Sequence, residues 1–292
     1  MSHYAVLVIG KNVKSKLAKF DENLEVKRYV ENTKQQLIEK GRKEIEEYAK
    51  GTYAEYLADP VEYALKHNNV EHVRYLKNEF PKKLEWSDEE VYQDQIDCEE
   101  EENIGEKGEV YSTRNPNSKW DWYTIGGRYR DRFVMKQGCI GKKGEGLDDH
   151  AGWYAPSEVN CADIAVKGDI DWSKTHQVKS DYDKAIRFWE MKIEGAEPKT
   201  DEEKETIKWD WYKPEYYTDK YKTKETYATA MSNFTMWAIV IDGKWYEKGG
   251  MGWFGLSDEE AEVGLKWELE FYDRFIKDLP DDTLLTVVDC HI

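Results

Sequence analysis

Three short runs constrain this chain most: His3–Gly10 (HYAVLVIG), Phe234–Ile241 and Thr283–Asp289. Each is apolar on both faces. A strand with one wet face alternates polar and apolar residues; one that does not is covered on both sides. All three therefore belong in the middle of one sheet. Asp242-Gly243 is a hairpin signal that returns Lys244–Glu247 as a further strand. The expected fold is α+β: a central, mostly antiparallel sheet containing both terminal strands, covered by helices, with a large, irregular, aromatic-rich insertion.

The helices are legible from period and caps. Val26–Tyr48 carries Val26, Tyr29, Val30, Leu37, Ile38, Ile45 and Tyr48 on one face, with Gly51 just beyond. Thr52 with Glu55, Ser87 with Glu90, Thr200 with Glu203 and Ser257 with Glu260 have capping-box spacing. They predict helices to about Leu65, to about Cys98, into Trp209 and through Ile276. Val70–Glu79 and Tyr182–Met191 are further helix candidates. The helices of 26–98 and 258–277 are expected to cover the sheet. Short strands are predicted at Val110–Ser112, Asp121–Ile125, Arg132–Lys136 and Asp163–Val166. Residues 137–160 read as a long loop, and the Tyr-, Lys- and Thr-rich stretch 213–226 as an extended connection or arm. This organisation gives a strand plus helices at 1–108, an insertion lobe at 109–230, and a C-terminal part at 231–292 that completes the sheet.

Composition narrows the function classes. The 292 residues carry a net charge of −17. Direct nucleic-acid binding needs a basic face, and an acidic chain is also repelled by anionic membranes. A basic protein partner is favoured instead. Twelve Trp and 20 Tyr argue against disorder despite the charge. No apolar run approaches the ~20 residues of a membrane helix, and the opening MSHYAVLVIGKNV reads as a strand and not as a signal peptide. Cys98, Cys139, Cys161 and Cys290 lack metal-site or disulfide spacing, which fits free thiols in a reducing compartment. No cofactor motif is present. Residues 85–109 hold twelve acidic side chains and one basic, including the run Glu99, Glu100, Glu101 and Glu102. That run is either a solvated helix end or a surface presenting carboxylates to a basic partner.

Three segments carry a resemblance. They are Asn115–Tyr123 (NPNSKWDWY) followed by Ile125-Gly126-Gly127-Arg128, then Gly250–Gly255 (GMGWFG), then Leu279–Ile292 (LPDDTLLTVVDCHI). With the opening strand, they resemble an uncharacterised family of phage, prophage and mobile-element proteins nearly end to end. Many members have Trp after Gly-Gly-Arg, where this chain has Tyr129. The resemblance implies a phage accessory protein acting in the host cytoplasm. It brings no established activity, cofactor or catalytic residue.

The densest cluster is Trp120, Asp121, Trp122, Tyr123, Gly126, Gly127 and Arg128. Strand alternation predicts Trp120 and Trp122 on one face, with Asp121 and Tyr123 on the other. Arg128 then meets Asp121, or a phosphate or carboxylate of a ligand. The cluster is a structural corner or a nucleotide pocket. Trp253 is expected as a core plug. Asp289 and His291 read either as acid–base machinery without a visible third member or as polar residues bonding across the sheet. Asp148, Asp149 and His150 are a common loop triplet, and no metal site is assigned.

Two functions follow. The first is an anti-defence inhibitor that blocks a host immunity complex (CRISPR, restriction or Gabija-type, with a basic nucleic-acid groove) through the acidic, aromatic surface. The second is a protein that binds, sequesters or cleaves a nucleotide, using the Trp120–Arg128 cluster. A structural phage protein is a third class. An enzyme is disfavoured by the lack of a catalytic motif, and central terminal strands leave room for self-association.

Overall fold

The computed structural model describes residues 2–144, 160–252 and 256–292. In chain order its strands are β1 (His3–Ile9), β2 (Tyr29–Asn32), β3 (Val110–Ser112), β4 (Trp122–Ile125), β5 (Phe133–Val134), β6 (Cys161–Ala162), β7 (Ile164–Val166), β8 (Ala238–Ile241), β9 (Lys244–Glu247) and β10 (Leu284–His291). The chain divides into two compact units, one formed by residues 1–24 and 115–292, the other by 25–114.

The first unit holds the main sheet, in the order β4-β10-β1-β8-β9, with β7 also on β10. The two terminal strands pair antiparallel over their whole length, from His3 opposite His291 to Ile9 opposite Leu285. β8 lies parallel to β1, so the sheet is mixed, and the β8–β9 hairpin closes at Asp242-Gly243 as the turn signal requires. β4 pairs with the second half of β10 and β7 with the first half, so the two share one side of that strand.

Both faces of β1 are covered. Ala5, Leu7 and Ile9 pack with Ile239, Leu285 and Val287 under the helix Ala261–Phe275, through its Trp267, Phe271 and Phe275. Tyr4, Val6 and Val8 pack on the other face with Leu17, Phe20 and Trp120. That double burial is why the runs do not alternate.

Of the expected insertion 109–230, residues 115–230 belong to the same unit as the sheet. β4 and β7 come from that stretch and are strands of the main sheet, because β10 is long enough to pair with both. Residues 213–226 are not an extended arm. Pro214–Tyr221 and Lys224–Ser232 are helices, and their Tyr217, Tyr221 and Tyr227 are buried with Trp189 of the helix Lys179–Lys192. Lys and Thr mask that buried face in the sequence. The Ser257 cap is also absent: the helix begins at Ala261, and Asp258 accepts from the Gly250 N–H instead.

The second unit has cores of its own around Leu37, Ile38 and Tyr92, and around Tyr56, Tyr63 and Leu76. Its first helix starts at Lys34, not at Val26. Thr33 and Gln36 form the capping box, and Tyr29–Asn32 pairs with β3. Tyr29 and Val30 fit a helical period but are strand residues. Thr52 caps nothing, since the helix runs on through a wide turn at Ala49–Tyr53. The Ser87–Glu90 box forms as read. Among the described residues, no helix is long and apolar enough to cross a membrane.

The Thr200 cap also holds, with Thr200 Oγ1 accepting from the Glu203 N–H at 3.1 Å. Glu203 accepts from both Nε and Nη2 of Arg187, at 3.0 and 3.1 Å, and this guanidinium draws its carboxyl down to about 2. A folded pKa below the unfolded one stabilises above the ordinary value of 4.5, and the gain is lost as pH falls through about 2. The stability difference between wild type and Glu203→Gln is therefore expected to be constant above that ordinary value and to shrink steadily below it. Urea unfolding across this pH range measures it; a difference that grows on acidification contradicts the assignment.

Candidate functional site

The two faces of the terminal-strand pair change character along their length. At one end Ile9 and Leu285, then Leu7 and Val287, are core. At the other end the same face carries Ala5 opposite Asp289 and His3 opposite His291. β4 adds Thr124 opposite Asp289 and Trp122 opposite His291. Residues far apart in sequence thus meet on one patch of sheet.

Two imidazole–carboxylate pairs sit there. His3 Nδ1 lies 2.9 Å from Asp289 Oδ1, and His291 Nδ1 lies 2.6 Å from Asp121 Oδ1. The two rings are 5.0 Å apart between centroids. Trp122 stacks on His291 at 5.2 Å and meets His3 edge-on at 5.3 Å. Both histidines are buried or nearly so, with side-chain exposures of 9% and 5%. A carboxylate at Nδ1 fixes the ring's orientation and the tautomer that leaves the Nε2 lone pair available. Among the described residues, no protein group takes either Nε2.

The glycine pair serves these carboxylates. Gly126 and Gly127 have φ of +76° and +50°. A Cβ on Gly126 would lie 2.6 Å from Asp163 Oδ2, and one on Gly127 would lie 2.5 Å from Asp289 Oδ2. The turn lets the Arg128 N–H donate to Asp289 Oδ2 at 2.9 Å, so Asp289 is held on both oxygens. The Tyr129 hydroxyl donates to the His3 carbonyl oxygen at 2.9 Å. Asp163 accepts from the N–H groups of Asp131 (2.6 Å) and Gly144 (2.7 Å). Burial pushes its carboxyl up from the ordinary value, against the pull of those two donors.

Several expectations change at this point. The alternation from Trp120 to Tyr123 fails because the chain bends at Asp121. Trp120 is buried against Tyr123, ring centroids 5.0 Å apart, while Trp122 lies with the histidines. Asp121 pairs with His291 and not with Arg128. Among the described residues, no carboxylate takes the Arg128 guanidinium, whose Nε is buried without a partner. Asp289 and His291 do not pair with each other; each is half of a different pair. His3 was missed, although reading the terminal strands as neighbours was the signal that could have found it. The chain from Arg128 to Lys143 was also missed: it holds six basic residues and one acidic in an otherwise acidic protein.

Trp253 and Asp148, Asp149 and His150 lie outside the described residues. Among the described residues, no three His, Cys, Asp or Glu side chains are grouped to hold a metal. In the second unit, Glu99, Glu100, Glu101 and Glu102 are exposed, and none of the four side chains has an ion pair among the described residues. Glu99 and Glu101 border a groove of about 620 Å³, with Trp86, Ile96 and Ile104 among its walls.

Comparison with protein-family profiles, with curated proteins and with solved structures gave no match. The geometry therefore carries the functional argument.

Gly127→Ala is expected to cost about 2 kcal/mol of stability, since it combines a left-handed backbone with a clash at Asp289. Denaturant unfolding would measure this. An unchanged midpoint would mean that the turn relaxes freely and does not hold the carboxylate.

Proposed function

We propose that this chain binds a nucleotide through its phosphate at the His3–His291 end of the sheet and cleaves a phosphate ester there by histidine acid–base catalysis. The observation that carries the reading is the pair of imidazoles, each held at Nδ1 by its own carboxylate, with ring centroids 5.0 Å apart. Ester hydrolysis needs a base for the attacking water and an acid for the leaving oxygen. One neutral ring takes a proton on Nε2 as the water oxygen bonds to phosphorus. The other ring, protonated, gives its Nε2 proton to the leaving oxygen as the P–O bond breaks. The rings end with exchanged protonation states, and proton exchange with solvent resets them. Asp289 and Asp121 are positioning residues that hold the two rings through Nδ1. The basic stretch from Arg128 to Lys143 suits an anionic ligand. Trp122 holds His291 in place by stacking.

His3→Ala and His291→Ala are each expected to lower hydrolysis of bis(p-nitrophenyl) phosphate by roughly 10²–10⁴-fold, with a bell-shaped pH dependence in the wild type. Both variants should keep the wild-type circular dichroism spectrum. Wild-type rates in both, or no wild-type rate above buffer with diester and monoester probes, would remove the reading.

A second reading is favoured by the exposed, unpaired run Glu99–Glu102. Such a surface suits the basic groove of a nucleic-acid-handling partner. A phage protein of this kind would act in the host cytoplasm as an inhibitor of a host immunity complex. Changing all four residues to Gln is expected to weaken co-purification with that complex at fixed salt. Undiminished capture by the variant counts against this surface.

A further inference from the structure

We infer that the cavity beside His3 is a base pocket for a single nucleotide, whose phosphate then reaches the imidazoles; this rests on the phosphate-ester reading above. The cavity measures about 290 Å³. Small-molecule sites run from about 300 Å³ upward. This one therefore takes one heteroaromatic ring system with part of its sugar, not a dinucleotide or an oligomer. Met231, Met236, Met251 and Trp237 are among its walls. Thioethers and an indole pack well on a planar heteroaromatic ring. His3 also lines it, which places one of the two imidazoles at the same cavity.

Lys248 and Glu268 supply a polar wall. They belong to a buried network. Lys220 Nζ donates to Glu268 Oε1 at 3.0 Å and to Glu259 Oε1 at 2.9 Å, and Lys248 reaches Glu259 Oε2 at 3.1 Å and also donates to Glu268 Oε1. Two ammoniums against two carboxylates leave this wall neutral. The network is nevertheless unsaturated. Glu268 is 6% exposed, and its Oε2 has no hydrogen-bond partner. Lys248 has three N–H groups and two carboxylate partners. Buried polar atoms are met by a partner, whether protein, water or ligand. Of the two, Lys248 is the group with an N–H left over, a donor that a carbonyl or ring nitrogen on the edge of a nucleobase can accept from.

The test is calorimetric titration of the full chain with each of the four ribonucleoside 5′-monophosphates, and with ribose 5-phosphate. At least one nucleotide is expected to bind tenfold or more tightly than ribose 5-phosphate. Met231 is half-exposed, so Met231→Trp narrows the cavity without entering the core. It is expected to weaken that nucleotide roughly tenfold and to leave ribose 5-phosphate within twofold. His3→Ala is expected to weaken both. If ribose 5-phosphate binds in a His3-dependent way but no base adds affinity, or if Met231→Trp changes nothing, the base pocket is overturned and the phosphate site stands. If neither kind of probe binds, both are overturned.

Discussion

The antiparallel pairing of β1 with β10 is the contact on which the rest of the first unit depends. It sets seven residue pairs in register, from His3 opposite His291 to Ile9 opposite Leu285. A slip of one residue would turn every side chain to the other face. If β1 slipped, Leu7 and Ile9 would leave the core under Trp267 and Phe271, and His3 would part from Asp289. The core and the candidate site are therefore specified by the same register. The apolar pairs fix it, and the polar pairs at one end inherit it.

Electrostatics is arranged locally against the overall charge. The chain is strongly acidic, yet the carboxylates near the site are each given donors. Asp289 has His3 and the Arg128 N–H, Asp121 has His291, and Asp163 has two backbone N–H groups. Each of these three carboxylates is thus met by hydrogen bonds. Two glycines with positive φ make room for two of these carboxylates, a steric demand that no residue with a Cβ meets without displacing them.

The sheet was readable in the sequence because burial on both faces leaves a signature that does not depend on neighbours. His3–Ile9 and Leu284–His291 are where the apolar runs placed them, and of the run Phe234–Ile241 the second half, Ala238–Ile241, is strand. Caps were readable where the side chain bonds its own helix, as at Ser87 and Thr200, and misleading where no such bond forms, as at Ser257, four residues before the helix begins. The buried tyrosines of 214–232 were obscured by intervening Lys and Thr, since a face made of Tyr scores as polar. At the site, Asp121, Gly126, Gly127, Asp289 and His291 stood out as residue types. Their partners did not, because Asp121 reaches His291 only through a bend that strand alternation cannot foresee. His3 became visible only once the register was known.

The site has no local version of itself. His3, Asp121, Asp289 and His291 come together only when β1, β4 and β10 are all docked. Neither of the two imidazole–carboxylate pairs of the site lies within one hairpin or helix. Whatever occupies the two rings is therefore recognised by the finished sheet alone. By mass action, occupancy would pull the whole folding equilibrium of this unit and not a loop. Bound ligand would be felt as cohesion at Leu7 and Val287 as much as at the histidines.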